Sequence, residues 1–412
     1  MNVVTIDGYI YNIGDFFKNH GHPGGDVLLN FCGTDASVAY HTIHVTHGRV
    51  HPVLAAYNIG KICNSCKTPA DECNEGYIFD SEFARDLVRE VRSHIASNYV
   101  QVSKARMWYI IRCITYLAFY LISTVLWITN PNTVTAVGMG TSSALVALNI
   151  AHDGSHGSLG KWSNAAATLF YVVGASRTLW FQQHIMKHHP FTNKYGCDRD
   201  LSSAEPFLYF DKSGVPQPVP LHTRWQQYLL PIVLPAYSFI AIAESGKLAK
   251  YPDVVVNDHI KSQTVTAIAF SITTKCVYIV SPFFYSTCSI LAYIGHVCVY
   301  IGTSSVILTT LFIVSHNFKK ETEQVQAQPQ KHVCWYRSQV VESCTYGGSL
   351  AGMLTGGLNY QIEHHVFSRY PSYIYPIISP IVRSVCKRHG VPYTYFKTFL
   401  HNLVNTISFL KV

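Results

Sequence analysis

The sequence predicts a multidomain chain: a small α+β unit at the N-terminus, then an all-α membrane domain with about four transmembrane helices and a polar, histidine-rich cap. Three observations carry this. Hydrophobic residues make up 48% of the 412 and charged residues only 13%, about half the charged share of a soluble domain. Beyond residue 100, two apolar regions each hold enough residues for a pair of membrane crossings at about 20 residues per crossing. Residues 1–62, by contrast, are mixed in character, with the strand-like runs "NVVTI" and "YIYNI" broken by Gly and Asp, then helical pieces around a His-Pro-Gly-Gly turn.

The opening "MNVVTIDGYIYNIGDFF" lacks the basic start and long apolar core of a secretion signal, so the N-terminus is expected in the cytosol. A polar linker follows. Its cluster "CNSCKTPADEC" (Cys63, Cys66, Cys73) could bind metal, but three thiols in a polar linker are more often plain thiols, and no role is assigned to them. The 12 cysteines are scattered, and with most of the fold facing cytosol they are expected to be reduced. "SEFARDLVREVRSHIASNYV" reads as a helix capped by Ser81, with Phe83, Leu87, Val88 and Val91 on one side; it is expected to lie on the membrane surface. The chain thus divides at 1–62, 63–100 (linker and interfacial helix) and 101–412.

Met107 to Thr129 and Thr133 to Ala151 form a first pair of spans around "NPN", and the block from Thr264 to about Val314 forms a second pair joined near "SPFFYST". Neither turn carries Lys or Arg. The outer ends do: Arg85, Arg89, Arg92, Lys104 and Arg106 before the first pair, Lys161, Lys187, Lys194 and Arg199 after it, Lys319, Lys320, Lys331 and Arg337 after the second. Basic residues mark the cytosolic side, so the net charge of +8 reflects membrane flanks and not a nucleic-acid partner. Lys275 is expensive in mid-span and suggests a third span that begins earlier than Thr264. Ala165 to Phe181, interrupted by Gly174 and Arg177, and Tyr228 to Ala243, interrupted by Pro231 and Pro235, fit interfacial or re-entrant helices. Four crossings leave every histidine patch on one face.

Those patches are three. "HDGSH" places His152 and His156 one helical turn apart, "QQHIMKHHPFTN" does the same for His184 and His188 with His189 free to turn to a second ion, and "NYQIEHHVF" sets Gln361, His364 and His365 at i, i+3 and i+4. Any one such pair is more often a solvated helix face than a ligand pair. Three of them at the same ends of membrane spans argue for a shared metal centre. Seven histidines exceed the three or four protein ligands of one zinc site, so two ions are implied. Imidazole suits Fe, Zn, Cu and Ni alike, and no HExxH zinc-protease motif occurs; iron needs a redox partner.

The N-terminal unit is a candidate partner. His22 precedes Pro23, Gly24 and Gly25, a turn small enough for a flat macrocycle to approach, and His44 follows "GTDASVAY" as the second axial ligand, with His47 as runner-up. Two axial histidines leave haem iron closed and suited to electron transfer. The plain reading is a turn with exposed histidines, since His41, His47 and His51 crowd the same region.

Residues 3 to about 62 resemble cytochrome b5 through "YNIGDFF", "HPGGDVLL", "GTDAS" and "YNIGKI", and residues 107 to about 390 resemble the membrane fatty acid desaturases, with "HDGSH", "HIMKHH" and "QIEHH" as three histidine boxes. A fused b5 unit together with Gln at the head of the third box is similar to the front-end desaturases. The resemblance implies that His152, His156, His184, His188, His189, His364 and His365 bind two non-haem irons, with Gln361 as a weaker ligand or outer donor. It also implies a further ligand near the last span, for which "VSHNF" supplies His316, with Asn317 near it; Asp153, Asp198 and Asp200 would orient imidazoles. The reaction implied takes O2, two electrons and two hydrogens of an acyl chain to a cis alkene and water. Electrons would come through haem b from NADH-cytochrome b5 reductase, and the substrate would be a fatty acyl lipid or acyl-CoA at the endoplasmic reticulum membrane. The fused donor has an effective concentration of roughly millimolar. Carbon 5 or 4 is favoured over 6 or 8 as the site of insertion. The rivals are a b5-fused sphingolipid delta-8 desaturase or fatty acid hydroxylase and, from another class, a non-catalytic membrane haem electron carrier, for which only His296 lies well inside a span.

Overall fold

The computed structural model describes residues 2–22, 25–45, 50–62, 73–74, 76–210, 218–249, 254–320 and 333–411. The N-terminal unit is built on a three-stranded antiparallel sheet, Val3–Ile6, Tyr9–Asn12 and Asn58–Lys61. Its hairpin closes through Asp7-Gly8, both at positive φ (54° and 77°), the backbone that a two-residue turn between twisted strands requires. Alternation in the first two strands sends Val4, Ile6 and Tyr11 inward to meet Phe16, Leu28, Phe31 and Leu54. That core does not stop at the unit's edge. Met186 and Phe181 of the second histidine box pack into it, and Asn257 Nδ2 donates to the Leu29 and Cys32 carbonyls at 2.9 and 3.4 Å, so the unit is docked on the membrane domain.

Among the described residues, four helices are long and apolar enough to cross a membrane: Tyr99–Thr129, Thr133–Ser155, Asp258–Tyr285 and Ile290–His316. They match the four spans read from the sequence. Asn132 and Ser289 cap the second and fourth, and both accept bonds from backbone N–H groups of the first turn. The fourth span is central, with Tyr300, Ser304, Ser305 and Leu308 buried against its neighbours; the two serines are small residues of the kind that let backbones approach. The outward side of the first span is lined by Trp108, Ile114, Leu121, Ile122 and Val125, an apolar surface suited to lipid. The third span begins at Asp258, earlier than Thr264, and Lys275 lies inside it. Its Nζ donates to the Ile242 carbonyl and Ser245 Oγ, both at 3.1 Å.

The acceptors of Lys275 stand at the end of Leu230–Glu244, the short apolar helix read as re-entrant. With Leu221–Tyr228 it makes a pair bent by 88°. Pro235 interrupts its ladder, and the fourth span repairs the gap: Ser305 Oγ donates to the Leu234 carbonyl at 2.6 Å and accepts from Ser238 N at 3.0 Å. The other short piece, Ala165 to Phe181, is broken at Gly174 as the sequence suggested.

Two expectations are corrected. The helix Glu82–Ser97, capped by Ser81, does not turn its apolar stripe to lipid: Phe83, Leu87, Val88 and Val91 are buried in one cluster with Ile378, Val382 and Val385 of the helix Tyr375–Arg388. A protein face met 290 residues later in the chain serves that apolar stripe better than lipid headgroups do. Nor are all thiols free. Cys73 and Cys197 form a disulfide within that same cluster, with Cα atoms 5.7 Å apart across a separation of 124 residues; eight other cysteines are free, and Cys63 and Cys66 lie outside the described residues. The linker's end is likewise ordered, with Tyr77–Ile78 pairing in parallel with Val333–Cys334.

Candidate di-iron and haem sites

Each box sits where a helix loosens its pitch or ends. The second span passes through a π-helical turn, Ala147–Ala151, before the turn His152–Ser155. The second box is itself π-helical over Phe181–His188. The third is the short helix Gln361–Val366, and His316 closes the fourth span. All these histidines are buried.

Their ligand atoms gather chiefly into two groups. Those of His152, His156, His184 and His364 lie within 4.8 Å of one another, and so do those of His188, His316 and His365; His189 joins His364 and His365, and His184 and His188 also meet in a set with Asp200. The second box divides in an unexpected way. At α-helical spacing His184 and His188 would share an ion and His189 would leave. In the π-helix, residues five apart are neighbours, so His184 and His189 meet at 3.1 Å between Nε2 atoms and His188 turns to the second group, 3.3 Å from His316 Nε2. In the third box Gln361 shares the second group with His365, its amide 2.9 Å from His316 Nε2 and 3.3 Å from His365 Nε2, while His364 faces the first group.

Outer contacts fix ring orientation. His188 Nδ1 donates to Asp198 at 3.0 Å, His316 Nδ1 to the Glu342 carbonyl at 3.0 Å and His365 Nδ1 to Gln339 Oε1 at 2.9 Å. Thr192 Oγ1 braces that last pair, at 2.9 Å from Gln339 and 3.0 Å from His365. His364 Nδ1 donates to the Tyr375 hydroxyl at 3.1 Å, which donates onward to the Tyr370 carbonyl. Each Nε2 is thereby aimed inward as an acceptor. Asp200 lies 3.4 Å from His188 and 3.7 Å from His184. Asp153 departs from expectation: its carboxylate accepts from the Ser372 N–H and hydroxyl at 3.0 and 2.9 Å, not from an imidazole. Sequence reading missed Tyr375, Gln339 and Thr192; only Thr192 stood in a quoted motif.

Burial holds His156, His189, His364 and His365 well below the usual imidazole range and takes His184 to about 4, which keeps these ligand atoms neutral at pH 7. Burial acts on His188 too, but Asp198 and Asp200 outweigh it and lift the ring to about 9. The donor set fits metal. Acceptor nitrogens facing each other at 3.1 and 3.3 Å match the spacing of two ligands each about 2.0–2.1 Å from one cation, and His152 Nδ1 and Nε2, His156 Nε2 and His364 Nε2 are buried with no hydrogen-bond partner, a cost that cation binding removes.

In the N-terminal unit the His22 and His44 rings stand 6.0 Å apart, centre to centre. Two imidazoles bound end-on to one ion, at a metal–nitrogen length of about 2.0 Å, come to about the same separation. His44 Nδ1 donates to the Tyr40 carbonyl at 2.9 Å, which turns Nε2 outward. Both line a cavity of about 1440 Å³ with Leu28, Phe31 and Ile43, and His156, His189 and His365 line the same cavity. His41 is engaged elsewhere, with Asp7 at 2.9 Å; His47, Pro23 and Gly24 lie outside the described residues.

Comparison with known proteins gives a family match over each of the two regions. Residues 126–397 match the fatty acid desaturase family and residues 2–63 match the cytochrome b5-like heme/steroid binding domain. The chain belongs to the fatty acid desaturase family and carries an N-terminal b5-like domain; it is an oxidoreductase of the membrane, with haem and a di-iron centre as cofactors and lipid and O2 as substrates. It is 27% identical to the acyl-lipid (8-3)-desaturase B of Dictyostelium discoideum, over 99% of this chain and 90% of that one. It is 25% identical to the chloroplastic acyl-lipid (7-3)-desaturase of Chlamydomonas reinhardtii (98% and 79%) and 26% identical to the Delta(5) fatty acid desaturase A of Dictyostelium discoideum (99% and 89%).

Proposed function

We propose that this chain is a front-end desaturase that inserts a cis double bond at carbon 5 or 4 of a polyunsaturated acyl chain, with electrons passing through its own b5 haem. The observation that carries the coupling is the shared cavity, which is lined by His22 and His44 of the N-terminal unit and by His156, His189 and His365 of the membrane domain. Position 5 is supported by relatives named as Delta(5) desaturases.

His152, His156, His184 and His364 would hold one iron and His188, His316 and His365 the other, with His189 near His364 and His365. Gln361 lends its amide to the second. Once bound, the irons supply with O2 the oxidising power to remove two hydrogens from neighbouring methylenes. The chain's own part is to keep most of the ligands neutral, with His188 the exception, to exclude water and to place the acyl segment. For the last task a small cavity of about 80 Å³ adjoins both groups, lined by Trp180, Leu234, Phe312 and Leu358 together with polar residues that include His184, His316, Asp198 and Asp200. Its aromatic and aliphatic lining suits a hydrocarbon, and the membrane helices that form it offer a route from lipid. NADH-cytochrome b5 reductase supplies the electrons, and the histidine face lies in the cytosol against the endoplasmic reticulum.

The test is expression in a host without polyunsaturated lipids, a fed panel of acids, and location of new double bonds by mass spectrometry. A new bond at carbon 5 or 4 is expected; hydroxylated products would favour the hydroxylase, and no new product the electron carrier. His296, on which the carrier reading depends, instead lies 3.3 Å from Thr133 Oγ1.

A further inference from the structure

The cavity beside His22 and His44 is lined by both domains, and its strong cations come from one of them. Lys161, Arg177 and Arg369 reach it from the membrane domain; the N-terminal unit contributes histidines, Tyr40 and the carboxylate Asp26. A haem brings two carboxylates of its own on its propionate arms. Arg177 is engaged, donating to Asn164 Oδ1 at 2.6 Å. Arg369 is built differently. It follows His365 by four residues, and its Nη1 donates to the backbone carbonyl of His156 at 3.2 Å. Its guanidinium lies on Gly157, which has φ +70° and where a Cβ would collide with Nη1; glycine is what lets the arginine lie so close to the first histidine cluster. Its side chain also lines the cavity that His22 and His44 line.

We propose that Arg369 binds a haem propionate across the domain junction, and so fixes the haem edge against the His156 end of the first histidine cluster, with Lys161 as an auxiliary cation. This rests on the assignment of His22 and His44 to haem. Arg369 is a positioning residue: it touches the cofactor's carboxylate and the backbone of an iron ligand, and one side chain ties the two redox centres together. Such a charge-assisted, forked contact is specific to arginine.

The experiment uses the full-length holoprotein in detergent and follows haem loss to excess apomyoglobin. Arg369→Gln is expected to keep the bis-imidazole spectrum but release haem about ten-fold faster or more, the size of one charge-assisted contact; Arg369→Lys should recover part of this, and Lys161→Gln should have the smaller effect. Haem dimethyl ester in the wild-type chain should leave as fast as haem leaves Arg369→Gln, and should be indifferent to that substitution. Release at the wild-type rate from Arg369→Gln, or an ester held as tightly as haem, overturns the proposal. The ester experiment stands even if the variant does not fold. Absence of any bis-imidazole spectrum in the wild type would instead sink the haem assignment itself.

Discussion

The two histidine clusters lie side by side and are held in different ways. In the second, each ring has a fixed acceptor for its Nδ1: Asp198 for His188, the Glu342 carbonyl for His316, Gln339 for His365. In the first, His364 has the Tyr375 hydroxyl, but His152 has neither ring nitrogen hydrogen-bonded and His184 Nδ1 stands 3.7 Å from Asp200, past hydrogen-bond length. Its rings are placed by packing, His152 on His156 at 4.7 Å and His184 on Trp180 at 4.4 Å. The second site is therefore organised by the protein before metal arrives, with carboxylates at its edge, while the first depends more on its ion for final order.

That contrast can be broken or sharpened by experiment. The largest effect is expected at the ligands: His364→Ala should abolish desaturation and lower the iron content of the purified protein, and full activity with two irons per chain would end the present assignment. Removing an outer acceptor comes next. Asp198→Asn should cost about 10–100-fold in turnover or iron affinity, whereas Tyr375→Phe, acting on the less braced cluster, should cost under about ten-fold; an inverted order in steady-state assays and iron titrations would show that packing outweighs hydrogen bonding. Timed chelation should remove iron in two phases, with the faster one absent from His152→Ala. A single phase in the wild type would mean the clusters behave as one. The smallest effect lies behind the third box. Thr345→Val removes a 3.0 Å bond to the buried Glu363 carboxylate and should lower stability by about 1–3 kcal/mol in thermal unfolding, with iron retained.

The boxes themselves were legible because their spacing is local: a run such as "HIMKHH" shows its ligands in six letters. His316 entered only through the resemblance to the desaturases, which implied a further ligand near the last span; the sequence pattern alone did not mark it. How the second box divides its histidines was not legible. Whether His184 pairs with His188 or with His189 depends on a π-helical pitch that no single residue signals, because the wider turn is imposed by what packs around it. Tyr375, Gln339 and the Cys73–Cys197 bridge escaped for a related reason. Their partners are distant in sequence, and a tyrosine eleven residues after a histidine box carries no mark of its role. The helix Glu82–Ser97 shows the opposite failure: its apolar stripe was read correctly and its partner wrongly, since a stripe states that something covers it and not what.

Lys275 has a consequence for how the chain enters the membrane during synthesis. A bare ammonium well inside a span opposes insertion by about 2.5–3.5 kcal/mol. Its acceptors, the Ile242 carbonyl and Ser245 Oγ, belong to a segment that emerges from the ribosome first. The bent helix Leu230–Glu244 can be waiting at the bilayer when the third span arrives, so the pair enters as one unit. A chain in which that helix was deleted would present Lys275 to lipid alone, and its damage would show first as failed topology and degradation, before any question of catalysis arose.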